Sequence, residues 1–183
     1  QNFKMISIIT PNLNGSKYLD ACIQNKIQQK LDIEYIIVDG YSTDKSHEII
    51  KKYNFVNLII KKDKNMYEAI NSGIHQSNHE IVTYINVDDS YNNDVLEYVA
   101  NIFNSNPSID FIYGDTNIID NKGVFLYKYK GFKIRNFFRN NCSIIPWLQP
   151  SLFFRKKIFE KLGGFNTNYN FASDYDFFKR QYV

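Results

Sequence analysis

Hydrophobic and polar positions alternate along the first half of the chain in blocks of two kinds. Met5–Thr10 is a short, β-branched apolar run stopped by Pro11, the pattern of a buried strand. Across Tyr18–Lys30 the apolar positions Leu19, Ile23 and Ile27 recur every fourth residue, which predicts a helix with one buried face. Tyr35–Val38 predicts a second strand ending at Asp39-Gly40, and Ser42 or Thr43 is placed to cap a helix carrying Ile49, Ile50 and Tyr53. A third strand follows at Val56–Ile60, then a helix through Met66, Ile70 and Ile74 that ends near Ser77-Asn78. A fourth strand, Ile81–Val87, runs into Asp88-Asp89, and a helix over Asn93–Asn104 stops before Pro107. Strand alternating with helix four times predicts an α/β fold, a mostly parallel sheet with helices on both faces.

After Phe111-Ile112-Tyr113 the rhythm changes. Asn117–Asp120 and Val124–Tyr129, around Asn121-Lys122-Gly123, predict a hairpin. A basic-aromatic stretch follows, then a short strand at Leu152–Phe154 and two helical segments. At 183 residues the chain is one domain. About 1–90 is a nucleotide-type half and about 91–183 a more irregular one.

Composition narrows the class. With 44% hydrophobic and 22% charged residues the chain can bury a core. A net charge of +3 is too mild for a dedicated nucleic-acid binder, so no nucleic-acid partner is expected. No apolar run approaches the roughly 18 residues that cross a bilayer. The apolar run near the N-terminus is too short for a signal-peptide core. Cys22 and Cys142 show no paired spacing, which argues against a disulfide framework and a zinc site. The expectation is a soluble, cytoplasmic protein.

In open α/β sheets, ligands bind outside the carboxyl ends of the strands, and polar residues collect there. Strand one delivers Thr10-Pro11-Asn12-Leu13-Asn14, strand two Asp39, strand three Lys61-Lys62-Asp63-Lys64, and strand four Asn86-Val87-Asp88-Asp89. Two adjacent carboxylates repel unless a cation or strong donors sit beside them. Mg²⁺ or Mn²⁺, shared with substrate phosphates, meets that demand; otherwise Asp88-Asp89 opens a loop and caps the next helix. No Gly-x-Gly-x-x-Gly or Gly-Lys-Ser/Thr occurs, so dinucleotide and P-loop readings fail. His75 and His79 stand four apart, but the helix is expected to fray between them. Tyr67 and Asn71, four apart on one helical face, either present polar groups to a ligand or pack against the sheet edge. Ser173 is placed to cap a helix with Asp174 in its first turn. Tyr127–Asn140 interleaves Lys128, Lys130, Lys133, Arg135 and Arg139 with aromatics. It suits a solvated face, a membrane interface or a single-stranded nucleic acid.

Thr10-Pro11-Asn12-Leu13-Asn14 and Val38-Asp39-Gly40-Tyr41-Ser42-Thr43-Asp44 together resemble the opening of the family 2 glycosyltransferases with the GT-A fold. The likeness continues in order through Asp63-Lys64-Asn65-Met66-Tyr67-Glu68-Ala69, Asn71-Ser72-Gly73 and Ile85-Asn86-Val87-Asp88-Asp89. Farther on come Gln149-Pro150-Ser151-Leu152-Phe153-Phe154-Arg155, Gly163-Gly164-Phe165 and Ser173-Asp174-Tyr175-Asp176. The resemblance implies a GT-A-type, Rossmann-like sheet with a smaller acceptor-side half. It implies inverting transfer of a sugar from a nucleoside-diphosphate sugar, UDP- ahead of GDP-, to a saccharide or polyprenyl-linked acceptor in surface polysaccharide or glycolipid biosynthesis. Contact with the inner face of the membrane would suit such an acceptor.

The same resemblance assigns residues. Asp39 holds the nucleobase, and Thr10, Pro11, Asn14, Lys64, Tyr67, Asn71, Asn86 and Asp89 complete the donor site. Asp88 holds the metal, Mn²⁺ or Mg²⁺, and Asp174 is the general base. Asn86 stands where the first acid of an Asp-x-Asp motif is usual. Asn65 replaces a usual glycine and is expected to be left-handed. His79 stands where glycine is frequent. Asp176 is expected to contribute structure. The chain ends seven residues after Asp176, and further residues are expected to complete the acceptor site. Two other readings remain. A nucleotidyltransferase would want a glycine- and arginine-rich loop after strand one, which is absent; the other is a non-catalytic nucleotide-sugar or RNA-binding module.

Overall fold

The computed structural model describes residues 6–132 and 146–182. Among them, β1 (Ile6–Asn12), β2 (Ile33–Asp39), β3 (Val56–Ile60), β4 (Ile81–Tyr84), β5 (Phe111–Ile112) and β8 (Phe153–Arg155) form one sheet in the order β3-β2-β1-β4-β8-β5. β1 to β4 are parallel, and β8 runs antiparallel to both β4 and β5. β6 (Thr116–Ile119) and β7 (Phe125–Tyr129) form a separate hairpin. The α/β expectation therefore holds.

Helices on both faces explain why the central strands are apolar without alternation. Against one face lie α3 (Met66–Gln76), α5 (Lys156–Leu162) and α6 (Ser173–Tyr182), through a core that includes Ile70, Ile74, Phe154, Phe159, Phe165 and Phe177. Against the other lie α1 (Ser16–Ile27), α2 (Ser46–Ile50) and α4 (Val95–Ser105), through Leu19, Ile23, Ile50, Leu96, Val99 and Phe103. Because β1 has β2 on one side and β4 on the other, the strand order reverses there. A crevice opens beyond the carboxyl ends of β1 and β4. The register pairs Asn12 with Asp39 and Asp39 with Ile60, so three strand ends finish level beside it.

Several local expectations are corrected. The buried face of α1 is Leu19, Cys22, Ile23 and Lys26, while Ile27 is half exposed; the rotation follows the i, i+3, i+4, i+7 geometry of a helix rather than a strict four-residue step. β4 stops at Tyr84, because Asn86–Asp89 closes a turn with Asp89 N–H donating to the Asn86 carbonyl (3.2 Å). Ser42 and Thr43 do not cap α2; Asp44 accepts from the Ser46 N–H (2.9 Å), and the helix is barely more than one turn, with Tyr53 beyond it. Asn65 is extended at φ −159°, not left-handed, and caps α3 by accepting the Glu68 N–H (3.1 Å). Ser173 does not cap α6; it is the helix's first residue and donates to the Asn166 carbonyl (3.0 Å). His75 ends within α3 against Phe159, and His79 lies past the helix. Among the described residues no group of three or more His, Cys, Asp and Glu side chains is gathered where it could hold a metal ion, and no helix is long and apolar enough to cross a membrane. Cys22 is a free, buried thiol. Cys142, Lys133, Arg135 and Arg139 lie outside the described residues.

Gly73 lets α3 lie directly on the sheet. A Cβ there would meet Ile9 Cγ2 at 2.6 Å and Val38 Cγ2 at 3.1 Å. Alanine gains about 1 kcal/mol of helix propensity over glycine, but overpacking costs about 1–3 kcal/mol. Gly73→Ala should lower the denaturant midpoint; an unchanged or higher midpoint would show that α3 does not seat on β1 in this way.

Candidate active site

Asp39 ends β2 with no accessible side-chain surface. A buried carboxylate must be paired, and this one takes four hydrogen bonds. Oδ1 accepts from the Ser42 N–H (2.8 Å) and His47 Nε2 (2.8 Å), and Oδ2 from Asn12 Nδ2 (2.6 Å) and Ser42 Oγ (2.7 Å). The donors, Ser42 first, hold its pKa below the usual carboxylate value against the opposing effect of burial. Asp39 thus binds β1 to the β2–α2 loop, and it does not line the adjacent cavity.

That cavity, of about 370 Å³, lies over the carboxyl ends of β1 to β3 and is walled by Pro11, Leu13, Gly40, Lys64, Met66 and Asn86, among others. Its carboxylate is Asp63. The side chain is buried; Lys61 Nζ lies 2.9 Å from Oδ1, and Oδ2 has no partner among the described residues. Asn12 also lines the cavity, with a buried Oδ1 that lacks a donor. Unpaired buried acceptors are costly, and two in one cavity mark where a ligand's N–H or O–H groups would fit. Asp63 stands among Lys61, Lys62 and Lys64 after the third strand, and no sequence signal foretold its burial.

The other expected donor residues divide. Pro11, Lys64 and Asn86 line the cavity. Thr10 is buried behind it, accepting from Tyr35 Oη (3.1 Å). Asn14 bridges two loops, its N–H donating to Ser42 Oγ (2.8 Å) and its Oδ1 accepting from the Thr43 N–H (2.8 Å). Asn71 is engaged by one backbone unit: Nδ2 donates to the Phe165 carbonyl (2.8 Å), and Oδ1 accepts the Phe165 N–H (2.9 Å).

Tyr67 is buried on α3, and its hydroxyl donates to Asp174 Oδ1 (3.5 Å), across 107 positions of chain. Oδ1 also accepts the Tyr175 N–H (2.9 Å). Burial raises the Asp174 pKa despite these donors. Burial and the nearby Asp174 charge push Tyr67 up to about 12, so the phenol stays a donor. The chain before α6 is tied to α3 by Asn71, by Asn65 Nδ2 donating to the Thr167 carbonyl (2.9 Å), and by Lys64 Nζ donating to Asn168 Oδ1 (3.3 Å). Arg180 holds the Leu162 and Gly164 carbonyls while paired with Asp176, the structural part expected of that acid.

Asp88 and Asp89 occupy the turn after β4, Asp88 exposed and Asp89 half-buried. Burial and then the Asp88 charge push Asp89 up to about 6. Lys26 is buried on α1 and is a source of positive charge that lowers the Asp89 pKa. Its Nζ donates to Cys22 Sγ (3.4 Å) and lies 5.3 Å from the Tyr91 ring centre, and burial lowers its pKa. A lysine in an amphipathic helix reads as solvated, so sequence reasoning missed it.

The open, mostly parallel sheet with helices on both faces and a cavity at its switch point defines a doubly wound α/β protein. Residues 7–163 match the family model described as Glycosyl transferase family 2, and the chain belongs to that family. It is 31% identical over 184 residues to a "PGL/p-HBAD biosynthesis glycosyltransferase" of Mycobacterium bovis, covering 94% of this chain and 68% of the relative. It is 29% identical to an uncharacterized glycosyltransferase of Rickettsia felis, covering 94% of this chain and 30% of that one. Among solved structures, S. aureus TarS 1-349 in complex with UDP is similar, with a TM-score of 0.74 at 23% identity, covering 94% of this chain and 53% of that one. The mannosyltransferase PcManGT from Pyrobaculum calidifontis, in complex with GDP-Man and Mn²⁺, gives 0.65 at 16% identity, covering 90% and 48%. The fold is of the GT-A type these structures share. The chain spans about half the length of these solved proteins.

Asp39→Asn should leave an amide facing donors. The loss at pH 7 should be about 2 kcal/mol, read as a lower melting temperature. Because the folded pKa is depressed, wild-type Asp39 contributes fully above the ordinary carboxylate value and loses that contribution as pH falls through the folded one. The gap between the two proteins should therefore narrow below about pH 4. A gap independent of pH would rule out the ionised network.

Proposed function

We propose that the protein transfers a sugar, with inversion, from a nucleoside-diphosphate sugar to a saccharide or polyprenyl-linked acceptor. The observation that carries this is the cavity at the β1/β4 switch point, with the Asp88–Asp89 turn on one side of the sheet end and the Asp174–Tyr67 pair reached from α3. The base and ribose would occupy the cavity, with Asp63 and Asn12 accepting from the nucleobase and ribose, and Asp39 acting through Asn12. UDP is favoured over GDP, a reading that the UDP-bound structural relative supports and the GDP-Man-bound one leaves open.

The residues of the turn fit a divalent cation. Asp88 is an exposed carboxylate, and burial and then the adjacent Asp88 charge push Asp89 up to about 6, a like-charge repulsion that a cation would offset. Asp88 would hold Mn²⁺ or Mg²⁺, with Asp89 and Asn86 beside it, and the ion would supply neutralisation of the departing diphosphate. Asp174 would take the proton of the attacking hydroxyl. The hydrogen bonds from Tyr67 and Tyr175 fall on Oδ1, leaving Oδ2 for that proton. Burial raises its pKa toward working pH, which improves a carboxylate as a base. Among the described residues no second carboxylate shares a hydrogen bond with it to act as nucleophile, so a single displacement is proposed. Peripheral membrane contact is proposed as well, supported by the β6–β7 hairpin, which exposes Val124, Phe125, Leu126 and Tyr127 beside Lys128.

Titration calorimetry tests the donor site. UDP should bind more tightly with Mn²⁺ than with EDTA, and Asp88→Ala should abolish the difference while leaving the melting temperature within a few degrees. Unchanged metal-supported affinity would remove Asp88 from the site. A binding module without turnover would bind UDP-sugars and neither hydrolyse nor transfer them.

Asp174→Asn should lower transfer by about 10²–10⁴-fold with donor affinity nearly unchanged. Tyr67→Phe should lower kcat about fivefold, the worth of one hydrogen bond near 1 kcal/mol. Proton NMR of the first product from an α-linked donor should show a β linkage. An α product would exclude inversion, and near-normal turnover in Asp174→Asn would exclude it as the base.

A further inference from the structure

The carboxylates of the proposed metal site stand on a segment without regular structure. From Asn86 to Asp94 the chain is neither helix nor strand, so its backbone groups must find their partners elsewhere. Open space flanks it. Asn86 and Val87 face the donor cavity, while Asp88 and Asp89 face a second one of about 410 Å³ between α4 and the β6–β7 hairpin. The support behind the segment is α1.

The helix and the segment run side by side and are tied in order along both. Cys22 Sγ lies 3.9 Å from the Asn86 carbonyl oxygen. Asn25 engages both backbone groups of Tyr91, its Nδ2 donating to the carbonyl (2.9 Å) and its Oδ1 accepting the N–H (2.9 Å). Lys30, past the end of α1, pairs with Asp94 (2.8 Å). A thiol is a weak donor, and an ion pair between exposed groups is worth little. The weight therefore falls on Asn25. Tyr91 gives it a firm anchor, because the ring is buried, packs on Phe153 and lies 5.3 Å from Lys26 Nζ. The Tyr91 hydroxyl is 3.1 Å from Thr83 Oγ1 on β4.

Two steps of chain join Tyr91 to Asp89, a reach of about 7 Å at full extension. From the other side the Asp89 N–H closes the turn on the Asn86 carbonyl (3.2 Å). Fixing Tyr91 against α1 therefore confines the backbone of Asp88 and Asp89 to narrow limits. We propose that Asn25 is a positioning residue for this turn: by clamping Tyr91 to α1 it holds the two carboxylates where a divalent cation and the donor diphosphate can share them. The proposal rests on the metal-binding reading of the turn. Asn25 itself touches neither the ion nor the substrate, and acts through the backbone of Tyr91.

The test compares Asn25→Ala, which keeps a good helix former on α1, with Ile23→Val, a core change on the same helix that serves as the stability control. Calorimetry reads the ratio of the UDP dissociation constants in EDTA and in Mn²⁺. Asn25→Ala should cut that ratio about fivefold, the worth of one hydrogen bond, with metal-free UDP affinity little changed, and Ile23→Val should keep the wild-type ratio. Deuterium uptake at residues 86–91 of the metal-free protein should rise in Asn25→Ala and not in Ile23→Val. A wild-type ratio in Asn25→Ala would overturn the positioning role. So would an equal loss in Ile23→Val, which would make the effect one of general stability. Unchanged uptake at 86–91 would overturn the clamp itself. Wild-type protein whose UDP affinity ignores Mn²⁺ would overturn the metal reading and the role toward a cation with it, while the uptake result would still decide whether Asn25 holds the turn.

Discussion

The buried carboxylate of Asp39 is the constraint on which the carboxyl edge of the sheet depends. A charge with no accessible surface persists only if every lone pair finds a donor. The donors come from three separate elements: Asn12 at the end of β1, Ser42 in the following loop, and His47 on α2. The backbone completes the tie, because the Gly40 N–H donates to the Asn12 carbonyl (2.9 Å) and the Lys61 N–H to the Asp39 carbonyl (3.0 Å). Three strand ends are thereby held level, and the cavity walled by Pro11, Gly40 and Asn86 is the space above them. Asp39 lies beneath that cavity with each of its hydrogen bonds turned to the protein, and Asp63 lines it with a buried oxygen that lacks a partner among the described residues.

A second set of ties runs from α3 to the chain before α6. Asn65, Asn71 and Lys64 grip the segment from Phe165 to Tyr169, the Phe165 ring packs on Tyr67 and Tyr84, and Arg180 holds the two preceding carbonyls. The reason is geometric. α3 begins at the cavity with Met66 and α6 begins at Ser173, beside Asp174, so one short helix can set the position of a carboxylate more than a hundred residues away. The polar positions along α3 that a donor-contact reading would send to the nucleotide instead build the support for the far half of the site.

Most of the α/β architecture was legible from periodicity, since buried parallel strands show as unbroken β-branched runs and the helices between them as one-sided stripes. Val56–Ile60 and the helix from Met66 were placed correctly for that reason. Errors fell where side-chain hydrogen bonding overrides propensity. Ser42 and Ser173 carry the chemistry of helix caps but serve a buried carboxylate and a distant carbonyl. Asn65 was expected to replace a glycine by adopting its left-handed backbone, yet it caps α3 from an extended one.

By itself, the sequence determined the order of strands and helices, the edge of the sheet where chemistry collects, and the family, because these depend on local pattern and on short motifs in order. Tertiary structure decided what each polar residue faces. Lys26 is buried beneath the Asp89 turn, Asp63 is buried in the wall of the cavity above β1 to β3, Asn71 is closed onto Phe165, and a second cavity forms between α4 and a hairpin that share no motif. The physical reason is that burial and hydrogen-bond partners are set by segments tens of residues apart. A charged or amide side chain carries no local mark of whether water, a ligand or another strand will satisfy it.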